Sequence, residues 1–364
     1  MTGYTLYGAE VSYFTGKARA YLDWRGIDYR EEVATQTVYR DIILPNVGWP
    51  VIPVMKMPDG TVVQDTADIM AEVERREPND PPAWPEAPLQ RFVSELLHFY
   101  GDEWLVIPAM HYRWTYNEDW AYGEFGALSA PQLSPEEQYD LGKKNGARFE
   151  GALPVLGVSG ATIPGIEKSY EAFLADLSRH FEAHPFLLGG RPSLADFAFY
   201  GPLYAHLYRD PTSGKLMKRL APKVADWVER MQAGGTGGDG KLLADDAIPA
   251  TLTPILSRLM REALPAVFQT EKLFAGWAAG AEPGARVPRG LGEITVEIEG
   301  HKGPAVARSF PLWRLQAALD VLDKMGADPK ARAYALLDET GGEALKAFRL
   351  PARLKRENCQ VVLA

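Results

Sequence analysis

The chain has 364 residues, a formal charge of −9 and 46% apolar side chains. That length calls for two or three compact units with ample core material. The acidic balance argues against sequence-independent nucleic-acid binding and against an anionic membrane surface, because neutralising phosphates needs clustered Lys and Arg.

No apolar run approaches the length of a bilayer span. Met1-Thr2-Gly3-Tyr4 has no basic region before an apolar core, so no signal peptide is expected. The single Cys359 rules out an internal disulfide framework, fits a reducing cytoplasm and is wrongly spaced for prenylation.

In chain order, Tyr4–Gly8 reads as a short strand. The turn Glu10-Val11-Ser12 follows, and then a helix in which Ala18, Tyr21 and Leu22 recur at helical spacing over Lys17–Arg25 until Gly26. Strand, hydroxyl-bearing turn and helix aim unpaired backbone N–H groups at whatever lies beyond the strand. A thiolate there would be stabilised by the helix dipole and by a hydroxyl donor. Tyr29–Val33 and Val51–Lys56 read as further strands. Asp59-Gly60 is a hairpin turn that makes Thr61–Val63 the returning strand. Thr66–Arg76 then reads as a helix with Ile69, Met70 and Val73 on one face. This order within residues 1–80 is that of an α/β, thioredoxin-like domain with a mixed sheet.

Pro78–Pro85 is a stiff linker, since proline favours extended backbone. Residues 89–232 are almost wholly helical in pattern, an all-α domain. Its best helix start is the capping pattern Ser193-Leu194-Ala195-Asp196. His180 and His184 share one helix face, but no third ligand is near and no metal is expected. The run Gly234–Lys241 nearly spells a phosphate loop. Leu242 replaces the required Ser/Thr and no strand precedes it, so it reads as a linker. Residues 242–364 form a mostly helical extension, with Ile294–Glu299 and Val306–Phe310 able to pair around Gly300-His301-Lys302-Gly303. Neither a Ser/His/Asp triad with its glycine elbow nor a dinucleotide fingerprint is present.

Together, Leu6-Tyr7-Gly8 leading to Ser12, Val51-Ile52-Pro53-Val54, and Gln64-Asp65-Thr66 resemble the glutathione transferase superfamily, in its serine-type classes. The resemblance covers residues 4–80 well and 89–232 loosely, and leaves out 242–364. It implies that glutathione is the co-substrate and that the Ser12 hydroxyl donates to its sulfur. It also implies a cis Pro53 that presents the backbone of Ile52 to the cysteinyl part. Asp65 would hold the γ-glutamyl ammonium, and Thr66 with adjacent N–H groups its carboxylate. A free thiol titrates near roughly 8.5, and lowering that by one pH unit needs about 1.4 kcal/mol, within reach of one charge-assisted hydrogen bond and a helix dipole. Tyr7, Tyr13 and Thr15 are rival hydroxyls. Where the family places Lys or Gln before the cis-proline, this chain has Gly48-Trp49-Pro50-Val51, with Arg40 or Lys56 as substitutes. Thr66 stands for the usual Ser, and Asp68 for a small residue.

The aromatic run His111–Tyr122 falls where the second domain would overhang the thiol. Trp114, Tyr116 and Trp120, with Tyr13, are candidates for lining a pocket for a small apolar electrophile. Packing or a dimer contact is the competing role. The expectation is a cytoplasmic homodimer that conjugates glutathione. A specialised glutathione-dependent lyase or isomerase, and a non-catalytic protein-binding module using residues 242–364, are the alternatives.

Overall fold

A computed structural model describes residues 3–78 and 81–364. Met1 and Thr2 of the leader reading, and Asn79 and Asp80 of the linker, lie outside the described residues.

The first unit runs β1 (Tyr4–Gly8), α1 (Tyr13–Trp24), β2 (Tyr29–Val33), α2 (Gln36–Val38), a π-helical turn (Tyr39–Ile43), α3 (Leu44–Val47), β3 (Val54–Lys56), β4 (Val62–Gln64) and α4 (Thr66–Arg76). The sheet order is β2-β1-β3-β4, with β1 parallel to β2 and antiparallel to β3. Successive strand residues face opposite sides. Leu6 and its partner Met55 pack with Tyr21, Ile69 and Met70 beneath α1 and α4. Tyr7 and its partner Val54 face the other way, against Ile43 and Val47. The thioredoxin-like reading holds. The third strand is shorter than expected, starting at Val54, because Val51-Ile52-Pro53 forms a loop with a cis Ile52-Pro53 bond. The first helix starts four residues earlier than its apolar spacing suggests, because Ser12 caps it.

The helical unit comprises α5 (Pro88–Phe99), a π-helical turn (Tyr100–Trp104), α6 (Val106–Tyr116), α7 (Glu118–Ser129), α8 (Pro135–Glu150), α9 (Ile163–Ala183), α10 (Leu194–Ala205), α11 (Pro211–Leu220) and α12 (Pro222–Gln232). Gly126 and Gly142 let the backbones of α7 and α8 touch: a Cβ at either would lie 1.7 Å from a carbonyl oxygen of the other helix. The Ser193 cap forms, with the Asp196 carboxylate accepting from the Ser193 N–H at 3.0 Å and the Leu187 N–H at 2.9 Å. Among the described residues, no helix is long and apolar enough to cross a membrane.

His180 is fully buried on α9. Its Nε2 meets the Phe186 carbonyl at 3.1 Å and its Nδ1 meets Thr251 Oγ1 at 2.8 Å. A carbonyl only accepts, so Nε2 carries a proton. Burial pushes its pKa down to about 4. The unfolded chain therefore takes up a proton between about pH 6.5 and 4 that the folded chain refuses, and stability falls as the pH drops through that window. His180→Gln offers one donor and one acceptor without a titrating group. It is expected to remove about 3 kcal/mol of that pH dependence, read from urea midpoints between pH 4 and 7.

The segment 234–241 is a connection tied down by Gly190 N–H donating to the Lys241 carbonyl at 2.6 Å. Beyond it come α13 (Thr253–Ala278), β5 (Gly290–Ile298), β6 (His301–Arg308), α14 (Ser309–Lys324), α15 (Ala327–Thr340), β7 (Leu354–Glu357) and β8 (Gln360–Leu363). The expected β5–β6 hairpin forms, but its turn is Glu299-Gly300, both at positive φ, so His301 and Lys302 pair as strand and Phe310 belongs to α14. The β7–β8 hairpin has no counterpart among the sequence expectations. The extension is stitched to the rest: the Asp246 carboxylate accepts from the Leu89 and Gln90 N–H groups at the start of α5, both at 2.8 Å.

Candidate active site

One row across the sheet, Tyr7–Val54–Gln64, gathers the motifs. The Ala9–Ser12 loop leaves β1 there, Ile52-Pro53 enters β3 there, and Asp65-Thr66 leaves β4 there. Segments more than fifty residues apart in the chain therefore share one sheet edge.

Ser12 Oγ accepts from the Thr15 N–H at 3.2 Å, which uses a lone pair and leaves the hydroxyl proton to donate elsewhere. Its rivals are engaged or covered. Thr15 is fully buried, with Oγ1 accepting from the Ala9 N–H at 3.4 Å. Tyr13 is buried between the units and donates to the Gly101 carbonyl. Tyr7 is buried in the apolar layer under α3. Ser12 alone of the four is only half-buried.

A residue that sequence pattern does not single out holds this loop. Arg113 of α6 donates from Nη1 to the Val11 carbonyl at 2.8 Å and from Nη2 to the Ala205 carbonyl at 2.6 Å. It also grips Asp210 with Nε and Nη2, each at 2.7 Å. His206 Nε2 accepts from the same guanidinium at 2.8 Å, leaving its Nδ1–H for the Ala109 carbonyl at 3.0 Å.

Asp65 caps α4 at φ 78°, accepting from the Ala67 N–H at 2.9 Å. Its carboxylate is already paired: Arg314 Nη2 of α14 lies 3.2 and 3.3 Å from its two oxygens. Burial pushes its pKa up, but Arg314, Arg356 and Lys17 outweigh that and hold it below the ordinary range. Arg314 also lies 3.5 Å from Asp102. Asp102 is clasped by the fully buried Lys17 at 2.8 Å and held well below the usual carboxylate range.

Beside this, Arg356 of β7 donates to Gln64 Oε1 at 2.7 Å and to the Gln64 carbonyl at 2.6 Å, and also bonds Asp68. The charge that departs from the family pattern thus has its partner in the extension. Cys359 is buried against Tyr7, Val54 and Ile52, and its Sγ donates to Gln64 Oε1 at 2.9 Å. Arg289 holds its carbonyl at 2.9 Å and covers the Trp49 ring at 4.4 Å.

The proposed pocket aromatics do not converge. Trp114 is buried against Tyr122, Phe125 and Phe149, so it is packing material. Tyr116 is exposed and donates to Glu167 at 2.5 Å. Trp120 lies under the Arg209 guanidinium at 5.2 Å, and Arg209 reaches Glu10 of the serine loop at 3.9 Å. Of the three, Trp120 is the one connected to that loop.

Solved structures with a similar fold include a Tau class glutathione S-transferase from mango, Mangifera indica. It is 18% identical, with TM-score 0.42 over 68% of this chain and 94% of that one. Beta-etherase LigF from Sphingobium sp. strain SYK-6 is 18% identical, with TM-score 0.46 over 64% and 96%. A GST-like protein from Pseudomonas syringae is 16% identical, with TM-score 0.44 over 85% and 97%. No curated protein matches the sequence. Residues 6–82 match the family described as glutathione S-transferase, N-terminal domain, and residues 160–230 match glutathione S-transferase, C-terminal domain. Residues 6–82 and 160–230 thus carry the two domains of the glutathione transferase superfamily.

Proposed function

We propose that this protein binds glutathione at the Tyr7–Val54–Gln64 edge and activates its thiol for attack on a small apolar electrophile. The supporting observation is the convergence on that edge of a half-buried Ser12 with a free hydroxyl proton, the cis Ile52-Pro53 loop, and Asp65-Thr66 at a helix start. Ser12 would donate to the sulfur, with the N-terminus of α1 adding its dipole. Ile52 and Pro53 would seat the cysteinyl backbone, Asp65 the ammonium, and Thr66 with the first N–H groups of α4 the carboxylate. Trp120 and Arg209 flank the approach to the serine loop and are the surface offered to the electrophile. A cytoplasmic homodimer is the assembly proposed.

Calorimetric titration with reduced glutathione tests the reading: saturable binding in the wild type, lost in Asp65→Ala, supports it, and binding that Asp65→Ala leaves unchanged removes the assigned site. Ser12→Ala is expected to lower kcat/KM toward an aryl halide about 100-fold, the usual effect of deleting one oriented donor. Glutathione affinity should stay within about threefold, because the donor acts mainly on the ionised sulfur. Without that donor the bound thiol titrates higher, so the alkaline rise in rate should move up by roughly one to two pH units. An unchanged pH–rate profile would remove Ser12 from thiol activation.

A further inference from the structure

The end of the chain already offers this edge what glutathione would bring. Arg314 gives Asp65 a cation, Arg356 occupies both oxygens of Gln64 and reaches Asp68, and Cys359 places a thiol on Gln64 and against Ile52. These contacts are specific. Asp68 is a charge where the family has a small residue, and the described partner of its carboxylate is Arg356. The turn Asn358-Cys359 has φ of 46° and 60°. A two-residue turn of this kind favours Asn-Gly, and a side-chain-bearing residue in the second place costs of order 1 kcal/mol. The residue in that strained position is the cysteine whose Sγ reaches Gln64.

The hairpin is fastened at its base, and its tip is held by the side chains of Arg356 and Cys359 and by Arg289 on the Cys359 carbonyl. Gln316 of α14 makes two bonds with the Leu354 backbone at the base, each at 2.9 Å, and the Val287 N–H donates at 2.8 Å to the carbonyl of Val361, which pairs with Arg356 beside the tip. Strands of four residues hold little stability alone, so the tip can leave while the base stays.

Resting on the glutathione reading above, we propose that the Arg356–Gln360 tip is a built-in occupant of the glutathione site, so that binding glutathione and releasing the tip are one equilibrium. The tripeptide's apparent affinity is then reduced by the fraction of molecules with the tip docked, and ligand and tip displace each other reciprocally. Burial pushes the Cys359 thiol up to about 11, so a docked tip reacts slowly with alkylating agents.

Cys359 is the single cysteine, which makes its alkylation by iodoacetamide a direct readout of tip position on the full chain. The ligand is S-methylglutathione, which has no thiol of its own. Saturating ligand is expected to speed alkylation of the wild type at least tenfold. Arg356→Ala should be alkylated at least tenfold faster without ligand and bind S-methylglutathione at least tenfold more tightly by calorimetry. Binding to the wild type with unchanged or slower alkylation would overturn the proposal while leaving the glutathione reading intact. No acceleration in Arg356→Ala would also overturn it. An Arg356→Ala chain with a freed Cys359 that still binds nothing would remove both the proposal and the glutathione reading.

Discussion

Arg113→Met is expected to destabilise the fold by about 3–5 kcal/mol at pH 7, the usual consequence of removing one partner from a buried ion pair. Asp210, wholly buried, would keep its charge without a counter-ion, and the Val11 and Ala205 carbonyls would lose their donor. Burial already raises the Asp210 carboxyl above its ordinary value, with Arg113 pulling against it. Without Arg113 it rises further. A folded pKa above the unfolded one means that stability is intact below about pH 4 and is lost as the pH climbs through the folded value. The deficit of the variant should therefore shrink from pH 7 to pH 5, measured as the difference in urea midpoint. Arg113→Met with Asp210→Leu should recover part of the loss, since an apolar pair replaces the unpaired charge. What remains reports the two orphaned carbonyls, one of them next to Ser12. A pH-independent loss, or no recovery in the double variant, would mean that Arg113 acts by packing alone.

Much of this edge is local chemistry and could be read directly. A hydroxyl before a helix, an Ile-Pro in a strand-like run and an acidic residue at a helix start need only their neighbours, and Ser12, Pro53 and Asp65 are where that chemistry puts them. The Ser193–Asp196 cap is legible for the same reason. Arg113 was hidden because its partners lie about a hundred residues away in both directions, at Val11 and Asp210. Trp114 carried a pocket role by location in sequence, but periodicity does not say which face of α6 meets α7 and α8. The β7–β8 hairpin lacked the glycine that advertises such a turn, and Cys359 meets Gln64 across 295 residues. One signal was present. Asp68, out of pattern on α4, called for a cation, and Arg356 is that cation.

Arg314→Met should have the second large effect, again about 3–5 kcal/mol at pH 7, because it strips a buried guanidinium from between the buried Asp102 and the partly buried Asp65. In the wild type the Asp65 carboxyl sits below its ordinary value, so the stability it contributes is present above about pH 4 and is lost as the pH falls further. Without Arg314 the strongest opposing cation is gone, the Asp65 carboxyl moves up, and the deficit against the wild type develops as the pH rises from the wild-type value through the variant's. The variant should thus fall furthest behind the wild type near neutrality and least at acid pH. It also vacates the carboxylate assigned to the γ-glutamyl ammonium. Glutathione should therefore stabilise Arg314→Met more than it stabilises the wild type, by replacing the missing cation. N-acetylglutathione, which has no ammonium, should not. Thermal midpoints of both proteins with each peptide decide the matter. Equal stabilisation by the two peptides would mean that Asp65 serves the fold through Arg314 and takes no part in holding the tripeptide.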